Sequence, residues 1–306
     1  MCGIVGLLIK NPAMRGQLGE LMVPMLVQMG ARGPDSAGLA VYTDELPEGE
    51  RKFSLYAPDW NYDWSAFETE FAKRFIDGAA GTTGRMDVTI IGNHAVLTCD
   101  ESVAEVRRWV RGRFPALHVL SAGRSMDIYK DTGHPSEVAQ RYGFDTLAGT
   151  HLVGHTRMAT ESAVTPAHAH PFTAGEDFCL VHNGSLSNPN SIRRKLEPLG
   201  IKFETDNDTE AATRFLEWRL REGDDLEAAV QKGFEELDGF YTFLMGTRDQ
   251  LALVRDAFGC KPAIVAETDD YVAIASEFRS LAKLPDVKNA KLFEPMPHEL
   301  YIWKVQ

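Results

Sequence analysis

Two hydrophobic patterns follow one another at the start of the chain. Gly3–Ile9 (GIVGLLI) is an unbroken apolar run of the length expected for a buried strand. Leu18, Leu21, Met22, Met25, Leu26 and Met29 then fall close to i, i+3, i+4, i+7 and predict an amphipathic helix, with Pro24 inside it placed to kink it. The turn ARGPDSAG ends that helix, and Leu39–Tyr42 begins a second strand. From Glu45 to about Thr150 the pattern changes. This stretch opens with polar ELPEGERK and contains the loop-like GAAGTTG (Gly78–Gly84). Alternation predicts a strand over Asp87–Leu97, and Val103, Val106 and Val110 give one face to a helix over Glu101–Arg111. A strand near Ala116–Leu120 and a helix near Ser136–Tyr142 complete a small α/β insertion. From His151 onward the chain is strand-rich: HLVGHTR, FCLVHNG, FYTFLMG, LALVRD, PAIVAE and YVAIAS, with amphipathic helices at Asp208–Arg221 and Asp225–Leu237. Strands joined by short connections, with helices gathered in blocks, fit a layered α+β fold better than a βαβ alternation.

Composition adds exclusions. Of 306 residues, 44% are hydrophobic and 25% charged, an ordinary globular balance. The net charge of −12 argues against a general affinity for nucleic acid or acidic lipid, because neutralising phosphates needs clustered Lys and Arg. No run approaches the ~18–20 apolar residues that cross a bilayer. The apolar opening lacks the basic flank and small-residue cleavage site of a secretion signal. Cys2, Cys99, Cys179 and Cys260 are far apart and form no CxxC pair, so free thiols and a cytoplasmic location are expected.

Four clusters carry candidate chemistry, and each has a plain structural alternative. Removal of Met1 would put a thiol and a free α-amine on Cys2, and such an amine, with a reference pKa of about 7.7–8.0, is a usable base near neutrality. Cys2 is equally a small apolar residue opening the first strand. GHTRMAT puts Arg157 and Thr160 at the end of an apolar strand, where arginine suits a carboxylate or a surface ion pair. VHNG puts Asn183 and Gly184 after a strand, as an oxyanion hole or as a hairpin turn. Asp206 and Asp208 precede a helix, as a clamp for an ammonium or as capping acids. Together the four describe hydrolysis of a free amino-acid side-chain amide.

The motifs MCGIVG, RGPDSAG, GHTRMAT, VHNGSLSN, TDNDTE and RDAFGCKPAIVA…ASEF run in the order of the class II glutamine amidotransferases, and over 1–44 and 150–306 the chain resembles that family. The resemblance implies a four-layer αββα sandwich of the N-terminal-nucleophile (Ntn) hydrolase type. One glutaminase domain would span 1–306, with an insertion at about 45–150. It implies L-glutamine as substrate, attack by Cys2 through a γ-glutamyl thioester, and Asn183 with the Gly184 N–H as the oxyanion hole. Arg157 and Thr160 would take the substrate α-carboxylate and Asp208 its ammonium, with Arg32 packed beside the nucleophile among the substrate-binding groups. Asp206 competes with Asp208 for that role, His168-Ala169-His170-Pro171 stands where relatives often carry Asn-Ala-His-Pro, and the insertion is longer than in most relatives. No ammonia-accepting domain follows HELYIWKV, so a separate synthase subunit is expected, as in a split glutamate-synthase-like enzyme such as N-methylglutamate synthase. FMN and iron–sulfur clusters would then sit in partner subunits, with no metal or cofactor in this chain.

Other readings compete. A zinc hydrolase could be built on His155, His168, His170 and His182. The chain could be a non-catalytic scaffold of the same fold, or a glutaminase serving a PRPP or sugar-phosphate acceptor. GAAGTTG lacks the GK[ST] ending of a phosphate loop and reads as a surface loop. RRWVRGRF (Arg107–Phe114) is the one basic patch; it reads as a solvated helix face with Trp109 packed inward, and as a candidate docking surface for the synthase subunit.

Overall fold

The apolar run at the start of the chain lies at the centre of a sheet. A computed structural model describes residues 2–76, 84–158 and 165–306. Strands and helices are numbered in chain order. Every residue of β1 (Gly3–Ile9) is buried, which is why it reads as a continuous apolar run and not as an alternation. It pairs antiparallel with β8 (His151–Arg157) on one side and β14 (Tyr271–Ala275) on the other. With β2 (Ser36–Tyr42), β7 (Met126–Thr132), β13 (Ile264–Glu267) and β15 (Lys291–Phe293) it forms a seven-stranded sheet ordered β15-β13-β14-β1-β8-β2-β7. A second sheet contains β16 (Leu300–Lys304), β12 (Gln250–Arg255), β11 (Gly239–Gly246), β10 (Phe178–Leu186) and β9 (Phe172–Ala174), in that order.

The two sheets pack face to face over Ile4, Leu8, Val153, Val181, Leu244 and Ile274. Their approach is close: a Cβ on Gly6 would stand 2.8 Å from Leu244 Cδ2. The outer face of the first sheet is covered by α1 (Leu18–Gln28), α4 (Pro135–Arg141) and α8 (Phe278–Leu281). The outer face of the second is covered by α5 (Pro189–Leu196), α6 (Asp208–Arg221) and α7 (Leu226–Glu236). The order of layers is α-β-β-α, the sandwich that the family resemblance implies. Leu18, Met22, Met25 and Leu26 form the buried stripe of α1, and Pro24 is carried inside the helix without ending it.

Within the stretch 45–150, residues of β3 (Arg51–Tyr56), β4 (Met86–Ile91), β5 (His94–Cys99) and β6 (His118–Gly123) build a separate four-stranded sheet ordered β4-β5-β3-β6. It is backed by α2 (Ser65–Phe71) and α3 (Val103–Arg113), while β7 and α4 belong to the main body. The single strand expected over Asp87–Leu97 is instead the hairpin β4–β5. Gly92 takes φ +60°, a left-handed conformation that glycine adopts without strain, and so turns the chain. Trp109 of α3 packs inward, with ring centroids 5.5–5.7 Å from Phe67, Phe71 and Phe75, as its place in the basic patch suggested. The subdomain is tied to the main sheet by buried polar bonds: Lys52 Nζ lies 2.8 Å from Asp127 Oδ2, and the Ile128 N–H donates to Ser54 Oγ at 2.9 Å. All but the last residue of GAAGTTG lies outside the described residues. Among the described residues, no helix is long and apolar enough to cross a membrane.

Candidate active site

Strand parity decides which way Cys2 points. Ile4 lies in the core between the sheets, and side chains two apart share a face, so Cys2 continues that inter-sheet face at the end of β1. The register pairs Gly3 with Thr156 and Ile4 with His155, and one further step sets Cys2 opposite Arg157. Arg157 has the parity of His155 and of the core residue Val153, so it faces the same gap, and it is buried. On the other sheet Val181 lies in that core and Asn183, two residues on, shares its face. The two ends are at one level, because His155 Nε2 donates to the His182 carbonyl at 3.0 Å. Cys2, Arg157 and Asn183 thus converge on one mouth of the sandwich.

Each is held from behind. The Ile4 N–H donates to Ser276 Oγ at 3.0 Å, and the Ser276 N–H returns a bond to the Ile4 carbonyl at 3.1 Å. Arg32 is buried; its Nε donates to the Cys2 carbonyl at 2.9 Å and its guanidinium pairs with Glu277 at 2.7 Å. Arg32 therefore holds the Cys2 backbone, a positioning contact beside Cys2. Asn183 is buried and its Nδ2 has no hydrogen-bond partner among the described residues. Gly184 takes φ +148°, and a Cβ there would come within 1.9 Å of the Phe240 carbonyl oxygen. No other residue fits that turn.

The two aspartates separate cleanly. Asp206 is exposed, its Oδ1 3.2 Å from His168 Nε2. Asp208 opens α6, and its Oδ2 accepts the Leu186 N–H at 2.9 Å, two residues beyond Gly184. Neither caps the helix: Asn207 does, its Oδ1 accepting the Thr209 N–H at 2.8 Å. Thr160 lies outside the described residues.

The histidines act as ties. His170 Nε2 and His182 Nδ1 both reach Thr209 Oγ1, at 2.9 and 3.1 Å, and the His155 and His170 rings stand 4.0 Å apart. Burial keeps all three neutral, pushing His155 down to about 3 and His170 well below its ordinary range; for His182 the nearby Asp208 opposes the shift. They join β8, the 165–171 segment, β10 and the start of α6 around the mouth. No group of three or more His, Cys, Asp or Glu among the described residues is arranged to hold a metal ion. Ser276, Glu277 and Thr209 were not assigned roles from sequence. Ser276 and Glu277 lie in the ASEF motif, the only signal that could have pointed to them.

A family model described as a glutamine amidotransferase domain matches residues 155–283. The glutamine amidotransferase-like protein GlxB of Rhizobium meliloti (strain 1021) is 45% identical over 307 residues, covering 100% of this chain and 99% of the relative. The chain belongs to the class II glutamine amidotransferases. An amidophosphoribosyltransferase of Methanocaldococcus jannaschii is 30% identical, over 60% of this chain and 40% of that protein. Among solved structures, the glutamine PRPP amidotransferase of B. subtilis superposes with a TM-score of 0.61 at 20% identity. That match covers 98% of this chain and 47% of the other, so this chain spans about half of it, and the likeness is one of fold. As a class II amidotransferase the chain is an Ntn-type enzyme acting on the amide of glutamine.

Proposed function

We propose that this amidotransferase hydrolyses L-glutamine through a Cys2 thioester and delivers the ammonia to a separate glutamate-synthase-like subunit, of the kind found in an N-methylglutamate synthase. The carrying observation is the convergence of Cys2 and Arg157, opposite each other on one sheet, with Asn183 on the facing sheet, whose Nδ2 has no partner among the described residues.

In this reading the Cys2 α-amine, freed by loss of Met1, takes the thiol proton as sulfur attacks the γ-amide carbon. The oxyanion is held by Asn183 Nδ2 and the Gly184 N–H. The carbon–nitrogen bond breaks, the amine returns its proton to the departing ammonia, and water hydrolyses the thioester to glutamate. Arg157, with Thr160, takes the α-carboxylate, and Asp208 takes the α-ammonium. Arg32 fixes the nucleophile's backbone. Supporting Asp208 over Asp206 is its bond to Leu186, close to Gly184. Asp208→Asn, which keeps an oxygen for the Leu186 N–H, is expected to raise the KM for glutamine about 10–100-fold, the worth of one charge-assisted hydrogen bond. Asp206→Asn should change it less than about twofold, since the group is solvated. Equal effects in steady-state kinetics would return the assignment to open competition between the two.

Supporting a separate acceptor is the relative GlxB, whose length is matched to 99% by this unit alone. A second support is an exposed aromatic pair beside the mouth: Phe240 and Phe258, 5.4 Å apart, are 49% and 71% exposed, and Phe240 sits at Gly184's turn. The FMN and iron–sulfur groups of such a complex would reside in the partner subunits. The chain, tagged at its C-terminal end and recovered from its own cells, is expected to co-elute with a flavin-binding synthase subunit. Glutamate release should rise when that subunit is added back. Recovery of a PRPP-binding or sugar-phosphate-isomerising partner would overturn the choice of acceptor. Absence of any glutamate release from the assembled complex would make the chain a scaffold.

A further inference from the structure

A cavity of about 460 Å³ lies between the inserted subdomain and the main body, and none of Cys2, Arg157, Asn183 and Asp208 lines it. Its walls come from α3 and β6 on one side and from the 165–172 segment, residues 202–205 and α6 on the other. Its volume falls in the range of small-molecule sites. Five cationic side chains line it, Arg107, Arg111, Lys130, Lys202 and Arg214, against two carboxylates, Glu204 and Glu210, in a chain whose net charge is −12.

Both carboxylates are already committed. Glu210 is buried and accepts the N–H groups of Glu204 and Thr205 at 2.9 and 2.7 Å, the Thr205 hydroxyl at 2.7 Å, and Arg214 at 3.3 Å. Glu204 is solvent-facing and stands 3.9 Å from Arg111. Lys130 is buried, spends its protons on the Ala169 and Pro171 carbonyls, and is pushed down to about 8 by that burial. Arg107 is left over. Its Nε is shielded from solvent without a hydrogen-bond partner, and burial, then the charge of Arg214, depress its proton affinity. Among the described residues no carboxylate lies within ion-pair distance of Arg107 or of Lys202. Glu204 and Glu217 act on the part-buried Arg107 guanidinium only from beyond ion-pair distance, so its charge is incompletely offset, and an arriving anion would remove that electrostatic cost. Arginine also offers paired donors suited to phosphate and carboxylate.

We infer that this cavity is a binding site for a small multivalent anion, a phosphate ester or a polycarboxylate, gripped by Arg107 and Lys202. Two of the three arginines of the RRWVR segment, Arg107 and Arg111, thereby line a concave ligand site, and Arg108 lies outside it.

Isothermal titration of the full chain at low ionic strength, with sodium pyrophosphate and with sodium citrate, tests this. One-to-one saturable binding of at least one is expected at or below millimolar concentrations. Pyrophosphate preference would assign a phosphorylated ligand, and citrate preference a polycarboxylate. Arg107→Gln should weaken binding about tenfold or more, as expected for one charged hydrogen-bonding group, and Arg108→Gln on the same helix should leave it unchanged. Should Arg107→Gln fail to fold, as judged by circular dichroism, the exposed Lys202→Ala carries the same test with a smaller loss. Saturation by neither anion, or equal binding by Arg107→Gln, Lys202→Ala and the parent chain, would overturn the assignment.

Discussion

Replacing Cys2 with alanine should abolish glutamine hydrolysis, a loss on the order of 10⁴-fold or more, while leaving the fold intact. The size follows from covalent catalysis: without the nucleophile the oxyanion hole and substrate clamps retain only the residual acceleration that binding and polarisation supply. The fold should survive because Cys2 stands past the end of β1 and only part-buried, so its sulfur adds little to the core. The groups that anchor this end of the strand, Ser276 on Ile4 and Arg32 on the Cys2 carbonyl, act on the backbone and are indifferent to the side chain. Glutamate release and a thermal melt, measured on the same preparation, separate the two effects. Activity close to the parent's in Cys2→Ala would remove the thioester route. Intact mass adds a second reading: active protein should lack Met1. Full activity in protein that retains it would eliminate the α-amine as base without touching the thiol.

The second large effect is at Asn183, and here activity and stability should part company. Asn183→Ala is expected to lower kcat about 10²–10³-fold, the cost of losing one preorganised oxyanion donor, with a much smaller change in KM. Ordinarily, cutting a buried polar side chain destabilises a protein because its partner is left unsatisfied. Asn183 Nδ2 has no such partner among the described residues, so alanine is expected to remove an unmet donor and leave none behind. The melting temperature should therefore hold or rise. Loss of both activity and stability would mean that Asn183 is a structural amide whose partner forms only on folding of the mouth. Unchanged kcat would exclude it from the oxyanion hole. A residue whose removal costs rate but not stability is one the fold has kept in reserve for a ligand.

How much of this was legible in the sequence depends on where each residue's partners lie. The strands of the sandwich core were readable because β1 and β14 are buried along their whole length and almost wholly apolar, and because β8 and β10 carry apolar runs (152–153 and 178–181) that lead into their polar ends. Helices α1 and α6 were readable because their buried faces follow helical spacing. The inserted subdomain was less so. Its strand β3 reads RKFSLY, in which Lys52 and Ser54 are buried yet polar because they bond Asp127 and the Ile128 N–H, so hydropathy gave no warning of a strand. The β4–β5 turn rested on the single Gly92. A motif can name a residue without naming its contact: the RGPDSAG turn puts Arg32 beside Cys2, but only the structure shows that it holds the Cys2 carbonyl. The helix cap could not be chosen from the sequence. Three acceptors in a row, Asp206, Asn207 and Asp208, offer one cap among them, and only the geometry of the first turn selects Asn207. The cationic cavity was invisible because its walls are drawn from segments far apart in the chain.

The position of β1 carries a consequence for the order of events in synthesis. Cys2 leaves the ribosome ahead of both strands that flank it, and the second of these, β14, comes only at residues 271–275. Contacts of such sequence separation close slowly and late, since a long loop must be ordered before they form. A nascent chain thus exposes its first strand for most of translation with no cleft around the thiol. A chaperone able to shield GIVGLLI until β14 arrives would be expected to raise the yield of folded enzyme.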